Sequence, residues 1–126
     1  MERDDVMARL RDTLSAAVRS RDMTMAGVLR STLAAIANAE AVAPDLAGAA
    51  SAATSPIAGT VLGVGSADIP RRRLEPNEIR DVVRSEIAER ERAAREYESF
   101  GQAPQAAALR AETLVLAQVA RNLDLA

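Results

Sequence analysis

The sequence predicts an all-α fold of two antiparallel helical hairpins, four helices in all, joined by a long irregular loop. Three observations predict it. Apolar residues recur every three or four positions through four separate stretches. Helix starters and stoppers (Asp22, Pro76 and Gly101) fall between those stretches. The gaps between stretches one and two, and between three and four, span only a few residues, so each pair of helices should return antiparallel.

The first helix is expected over about residues 5–19. Val6, Leu10, Leu14 and Val18 recur every four residues and line one stripe. Asp4 or Asp5 can cap its N-terminus by accepting backbone N–H bonds. The second helix is expected over about 23–42, with Asp22 as N-cap and Met25, Val28, Leu29, Thr32, Leu33 and Ile36 as its stripe. The third is expected over about 76–100. Pro76 suits its first turn, where the missing N–H would be unpaired anyway. Its stripe is Ile79, Val83, Ile87, Arg90, Ala94 and Tyr97, and Gly101 is a natural residue to end it. The fourth is expected over about 104–123, with Ala106, Leu109, Thr113, Leu116, Val119, Ala120 and Leu123 inward. Between the hairpins, residues 43–72 are small, rich in Gly, Pro and Ser, and without a period, which reads as a loop. Within it Ile57, Val61, Leu62 and Val64 are apolar enough to pack on the bundle or to engage a partner.

The 126 residues suffice for a single domain, 1–126. The 28 alanines make a thin core, because each buries little apolar area, but they let helices approach closely. Self-association through an exposed helix face is therefore an expectation.

Composition excludes several chemistries. With no Cys, His or Lys, the chain can supply no thiolate nucleophile, Cys/His zinc site, Ser-His-Asp triad, Walker A lysine or Schiff-base lysine. The Glu-x-x-His pairs of di-iron bundles cannot be built either. No catalytic residue, metal or cofactor is assigned. The net charge is −2, and acids and arginines nearly balance in each helical segment, so no basic block marks an autonomous nucleic-acid binder. The charged start at Met1–Asp5 lacks the form of a signal peptide. The longest run free of both charge and proline, Ile57 to Ala67, is too short to span a bilayer. These features predict a soluble, cytoplasmic protein with no membrane partner.

Some residues admit two readings. All 16 cations are arginines, which suits phosphate recognition or reflects a compositional bias. Arg71, Arg72 and Arg73 form the one basic cluster, able to contact an RNA backbone, an acidic partner or solvent alone. The third helix interleaves acids and arginines as a solvated face. Glu86/Arg90 and Glu91/Arg95 stand four apart in the favourable order. Glu86 and Arg90 fall on or beside the apolar stripe, where a partly buried pair could fix helix register or belong to a site. Glu112 and Glu40 are similar candidates. Tyr97 and Phe100 could stack on a base, but two aromatics at the end of an Ala-rich helix are expected to fill the hairpin corner.

Three segments carry a family pattern. Val18–Asp22 reads VRSRD, Leu29–Glu40 reads LRSTLAAIANAE, and Arg72–Leu116 supplies a helix, a Tyr97…Gly101 turn and a second helix. Together they resemble the N-terminal helical half of the GatB/YqeY family, the YqeY-like proteins, which are related to the tail of the B subunit of the tRNA-dependent amidotransferase. Among the matching positions, Asn38, Glu40, Glu86, Tyr97, Gly101 and Glu112 are the family-pattern residues of interest. Family members continue with a YLP.QL turn and a second small helical domain beyond the position of Ala126, and their connection between the hairpins is shorter. The resemblance implies an association with tRNA or with amidotransferase subunits. The family's label is carbon–nitrogen ligase activity with glutamine as amido donor, whose chemistry belongs to other domains. On this basis the chain is expected to be a non-catalytic adaptor. Any RNA contacts would use Arg21, Arg30, Arg71, Arg72, Arg73 and Arg90 on phosphates. The alternative is a protein-interaction module or homo-oligomeric scaffold with no RNA role.

Overall fold

The computed structural model describes residues 1–41 and 72–125. Four helices run through them: α1 Arg3–Ser20, α2 Met23–Ala41, α3 Pro76–Ser99 and α4 Ala103–Asn122. No strand occurs among the described residues, so the fold is all-α. Except for Arg72, the expected loop of 43–72, with its apolar Ile57–Val64 stretch, lies outside the described residues.

Local chemistry sets the helix ends. The carboxylate of Asp5 does not cap α1 from its first position. It reaches back from the third residue of the helix proper to accept the N–H of Glu2 at 3.3 Å, so Glu2 is the cap. Glu78 repeats this arrangement in α3, accepting the N–H of Glu75 at 3.1 Å, with Pro76 opening the helix. Asp22 caps α2 as expected, accepting the N–H of Met25 at 3.0 Å. Three helices close in the same way. A residue in the left-handed conformation follows the last turn, and the next N–H bonds back five residues. Gly101 (φ 74°) does this after α3, with Gln102 N–H on the Tyr97 carbonyl at 2.8 Å. Arg21 (φ 60°) does it after α1, with Asp22 N–H on Ala17 at 2.9 Å, and Asp124 (φ 56°) after α4, with Leu125 N–H on Ala120 at 2.7 Å.

Arginine is a poor choice for a left-handed position, whereas glycine is a poor choice inside a helix. Gly27 stands mid-α2, and a methyl group there would meet nothing within 4 Å. Arg21→Gly and Gly27→Ala are each expected to raise stability by about 0.5–1 kcal/mol, the first by removing a Cβ clash and the second by lowering unfolded-state entropy. Urea unfolding of the two single variants checks both signs.

The chain divides into two units. The first comprises Met1–Ile36 and Leu74–Ala126. There α3 and α4 pack on each other as a hairpin. Buried side chains come from all four helices: Val6 and Leu10, Val28, Leu29 and Ile36, Ile79 and Val83, Leu116 and Val119. Ala17, Ala26, Ala94, Ala106 and Ala120 are buried among them. Thr32, fully buried, donates its hydroxyl to the Val28 carbonyl at 2.8 Å, which meets its hydrogen-bonding need within the helix. The second unit is Ala37–Arg73. Its described part is the last turn of α2 together with Arg72 and Arg73. Arg72 N–H donates to the Glu40 carbonyl at 3.1 Å, and Glu40 is buried.

The α1 stripe differs from expectation. Val6 and Leu10 are buried, Leu14 is half-buried, and Val18 is 45% exposed, while Met7 and Ala17 are buried. At about 100° per residue, each four-residue step advances about 40° around the helix, so a strict four-residue repeat walks off the core face. Ala17, seven positions after Leu10, returns to within about 20° of it.

Candidate functional site

Polar side chains from three helices converge on Arg90, midway along α3. Its Nε donates to the Glu112 carboxylate of α4 at 3.1 Å. One terminal nitrogen donates to both the carbonyl and the carboxylate of Glu86, one turn back, each at 3.1 Å. The other donates to the Ser31 hydroxyl of α2 at 3.1 Å. Ser31 in turn donates to the Glu86 carboxylate at 3.0 Å. Four of the five guanidinium N–H bonds are thus engaged. The Arg90 and Glu86 side chains keep only 11% and 15% of their exposure.

The four-residue spacing of Glu86 and Arg90 made their pairing legible. Ser31 was not legible. It is a small polar residue beside the α2 stripe, and nothing in its spacing connects it to a residue 55 positions away. Among the described residues Glu91 and Arg95 form no ion pair despite identical spacing. An exposed pair forms instead between Glu98 and Arg110, at 2.7 Å across the α3–α4 hairpin.

A shallow cleft of about 330 Å³ opens over the cluster, lined by Ser31, Glu86, Glu89, Arg90 and Glu112 among others. It presents three carboxylates against one guanidinium. An incoming phosphate would have to displace carboxylates already bonded to Arg90. The geometry holds α2, α3 and α4 in one register around Arg90, and the cleft keeps a net negative charge, with Glu89 in no ion pair among the described residues.

The other residues singled out by the sequence do not gather around this cluster. Arg21 is exposed in the turn after α1, and Arg30 is exposed on α2 next to Ser31. Arg72 and Arg73 are exposed, and Arg71 lies outside the described residues. Asn38 is exposed and Glu40 buried in the last turns of α2. Gly101 serves the left-handed turn. Among the described residues no group of three or more acidic, His or Cys side chains is placed to hold a metal ion, and no helix is long and apolar enough to cross a membrane.

Tyr97 and Phe100 correct an expectation. They do not fill the hairpin corner: Tyr97 is 39% and Phe100 78% exposed. At this end of the hairpin the buried residues are Ala94 and Ala106, and α4 begins only at Ala103. Alanines at these positions let the two helices approach closely, and both rings lie outside that contact. Leu114 on α4 is also 73% exposed, beside a cleft of about 500 Å³ lined by Glu91, Arg95, Arg110, Thr113 and Leu114.

Arg110, through its hydrogen bond first and its charge second, holds the Glu98 carboxyl below its ordinary pKa. A depressed carboxyl pKa supports the fold above its unfolded value, and that support is lost as pH falls through the folded value. Both groups are exposed, so the expected readout is the titration itself. Arg110→Ala should move the Glu98 carboxyl titration upward, as followed by carbon-13 NMR.

No family model matches the chain. No curated protein and no solved structure matches it either.

Proposed function

We propose that this chain is a YqeY-like helical adaptor, one that binds other macromolecules of a tRNA-dependent amidotransferase system and catalyses no reaction itself. The observation that carries the adaptor reading is the closure of the Arg90 cluster. Where polar side chains converge, the Arg90 guanidinium is taken up by Glu86, Glu112 and Ser31 of three helices, which suits a fixed scaffold. A reactive group needs a free lone pair or proton facing a substrate. The amidotransferase context comes from the family resemblance of Val18–Asp22, Leu29–Glu40 and Arg72–Leu116.

Contact through protein is the favoured form, because Phe100, Tyr97 and Leu114 are exposed apolar groups while the arginines are interleaved with acids. Contact with tRNA would fall to Arg21, Arg30, Arg71, Arg72 and Arg73. Arg90 could join them only by releasing its partners. Pull-down from the native cells, with and without nuclease, is expected to retain a protein partner after nuclease treatment. Loss of all partners in both arms would remove the adaptor reading. A fluorescence titration with bulk tRNA at low salt tests the RNA contact, which is expected to weaken when Arg71, Arg72 and Arg73 become Ala. Ammonia release from glutamine by the purified chain would overturn the non-catalytic part. A second reading, self-association across α4, rests on exposed Leu114 and its cleft, and sedimentation that stays monomeric with rising concentration would remove it.

A further inference from the structure

We propose that the tip of the α3–α4 hairpin is a docking site for an arginine side chain presented by a partner protein. The proposal rests on the adaptor reading and deepens it by naming what the partner offers. The chain has one Tyr and one Phe, and both line a single open cleft with Ala93, Glu96 and Gln102. The cleft encloses about 380 Å³, at the small end of the ~300–1,000 Å³ of pockets that hold a ligand.

Three features of the cleft select a cation. The ring faces of Tyr97 and Phe100 carry negative quadrupole potential and attract a cation stacked on them. Glu96 supplies a full negative charge one turn before Phe100, and its carboxylate forms no ion pair or hydrogen bond among the described residues. The site also sits at the C-terminal end of α3, where the helix dipole is negative and the last turn holds no basic residue. Arg92, one turn before Glu96, forms no ion pair with it among the described residues, and Arg110 is bound to Glu98 at 2.7 Å.

Arginine fits these features better than lysine. A planar guanidinium can stack on a ring while its edge bonds a carboxylate, and the Gln102 carboxamide oxygen is a further acceptor. A compact ammonium uses the charge but not the stacking. The openness of the tip, with Phe100 78% exposed, suits a side chain carried on a protein surface rather than an enclosed small molecule. Aromatic and arginine anchors are also the residue types that dominate protein interfaces.

The test uses the full chain and reads the single Tyr and single Phe ring signals by NMR, which need no further assignment. The probe is a capped Gly-Arg-Gly peptide, titrated to tens of millimolar beside matched lysine and citrulline peptides and tetramethylammonium. Both rings are expected to shift saturably with the arginine peptide and hardly at all with the citrulline peptide, which is isosteric but uncharged. Glu96→Gln should weaken binding about fivefold and Phe100→Ala at least as much, by the loss of a surface ion pair or a cation–π contact. Both positions are exposed, and circular dichroism verifies that the variants stay folded. Equal shifts with arginine and citrulline peptides, or affinity unchanged in both variants, would overturn the proposal. Equal or tighter binding of lysine or tetramethylammonium would overturn the arginine assignment. The titration reads the tip alone. A chain that fails it yet retains a nuclease-resistant partner keeps its adaptor role and loses only this site.

Discussion

Replacing Arg90 with alanine is expected to lower unfolding stability by about 2–4 kcal/mol, slightly less than the ~3–5 kcal/mol typical of breaking a buried pair. The discount reflects Glu112, which is only half-buried and can recover water. Glu86 cannot: its carboxylate keeps 15% exposure and would lose its one cationic partner. Ser31 would lose an incoming bond, and the tie between α2, α3 and α4 would go with it. Arg90→Lys should recover only part of the loss, because one ammonium cannot reach Glu86, Glu112 and Ser31 in the forked geometry of a guanidinium. Chemical denaturation of the three proteins, read by circular dichroism, measures this. An Arg90→Ala loss below about 0.5 kcal/mol would put Arg90 among ordinary surface residues and remove the register role.

Leu10→Ala is expected to cost about 2–5 kcal/mol, the range for a fully buried leucine that leaves a cavity. Val18→Ala, a change on the same predicted stripe, should cost less than about 0.5 kcal/mol. The contrast discriminates between two pictures of α1. If the strict four-residue repeat defined the buried face, Val18 would matter nearly as much as Leu10. If the helical angle defines it, Ala17 occupies the core position and Val18 faces water. Comparable losses at the two sites would contradict the packing described for α1.

Helix ends were the most legible part of the chain. Asp22, Pro76 and Gly101 act within one turn of themselves, through an N–H accepted, an N–H absent or a left-handed φ. Such interactions need no distant neighbour, so residue type and position suffice to place them. The Glu86–Arg90 pair was legible for the same reason, since one helical turn brings the two side chains together. Arg21, one of two further residues in left-handed turns, was not. Its left-handed backbone is imposed by the bonds from Arg21 and Asp22 back to Val18 and Ala17, against the preference of an arginine.

The sequence by itself determined the all-α class, the four helices and nearly all their ends, because these follow from periodicity and local hydrogen bonding. Only the tertiary structure decided that Ser31 and Glu112 complete the Arg90 cluster, that Glu98 rather than Glu91 finds an arginine, and that Tyr97 and Phe100 project from the hairpin tip. Each depends on where one helix stops relative to its neighbour and on which faces meet. Those are set by the summed packing of small apolar side chains, a sum that no single residue's spacing encodes.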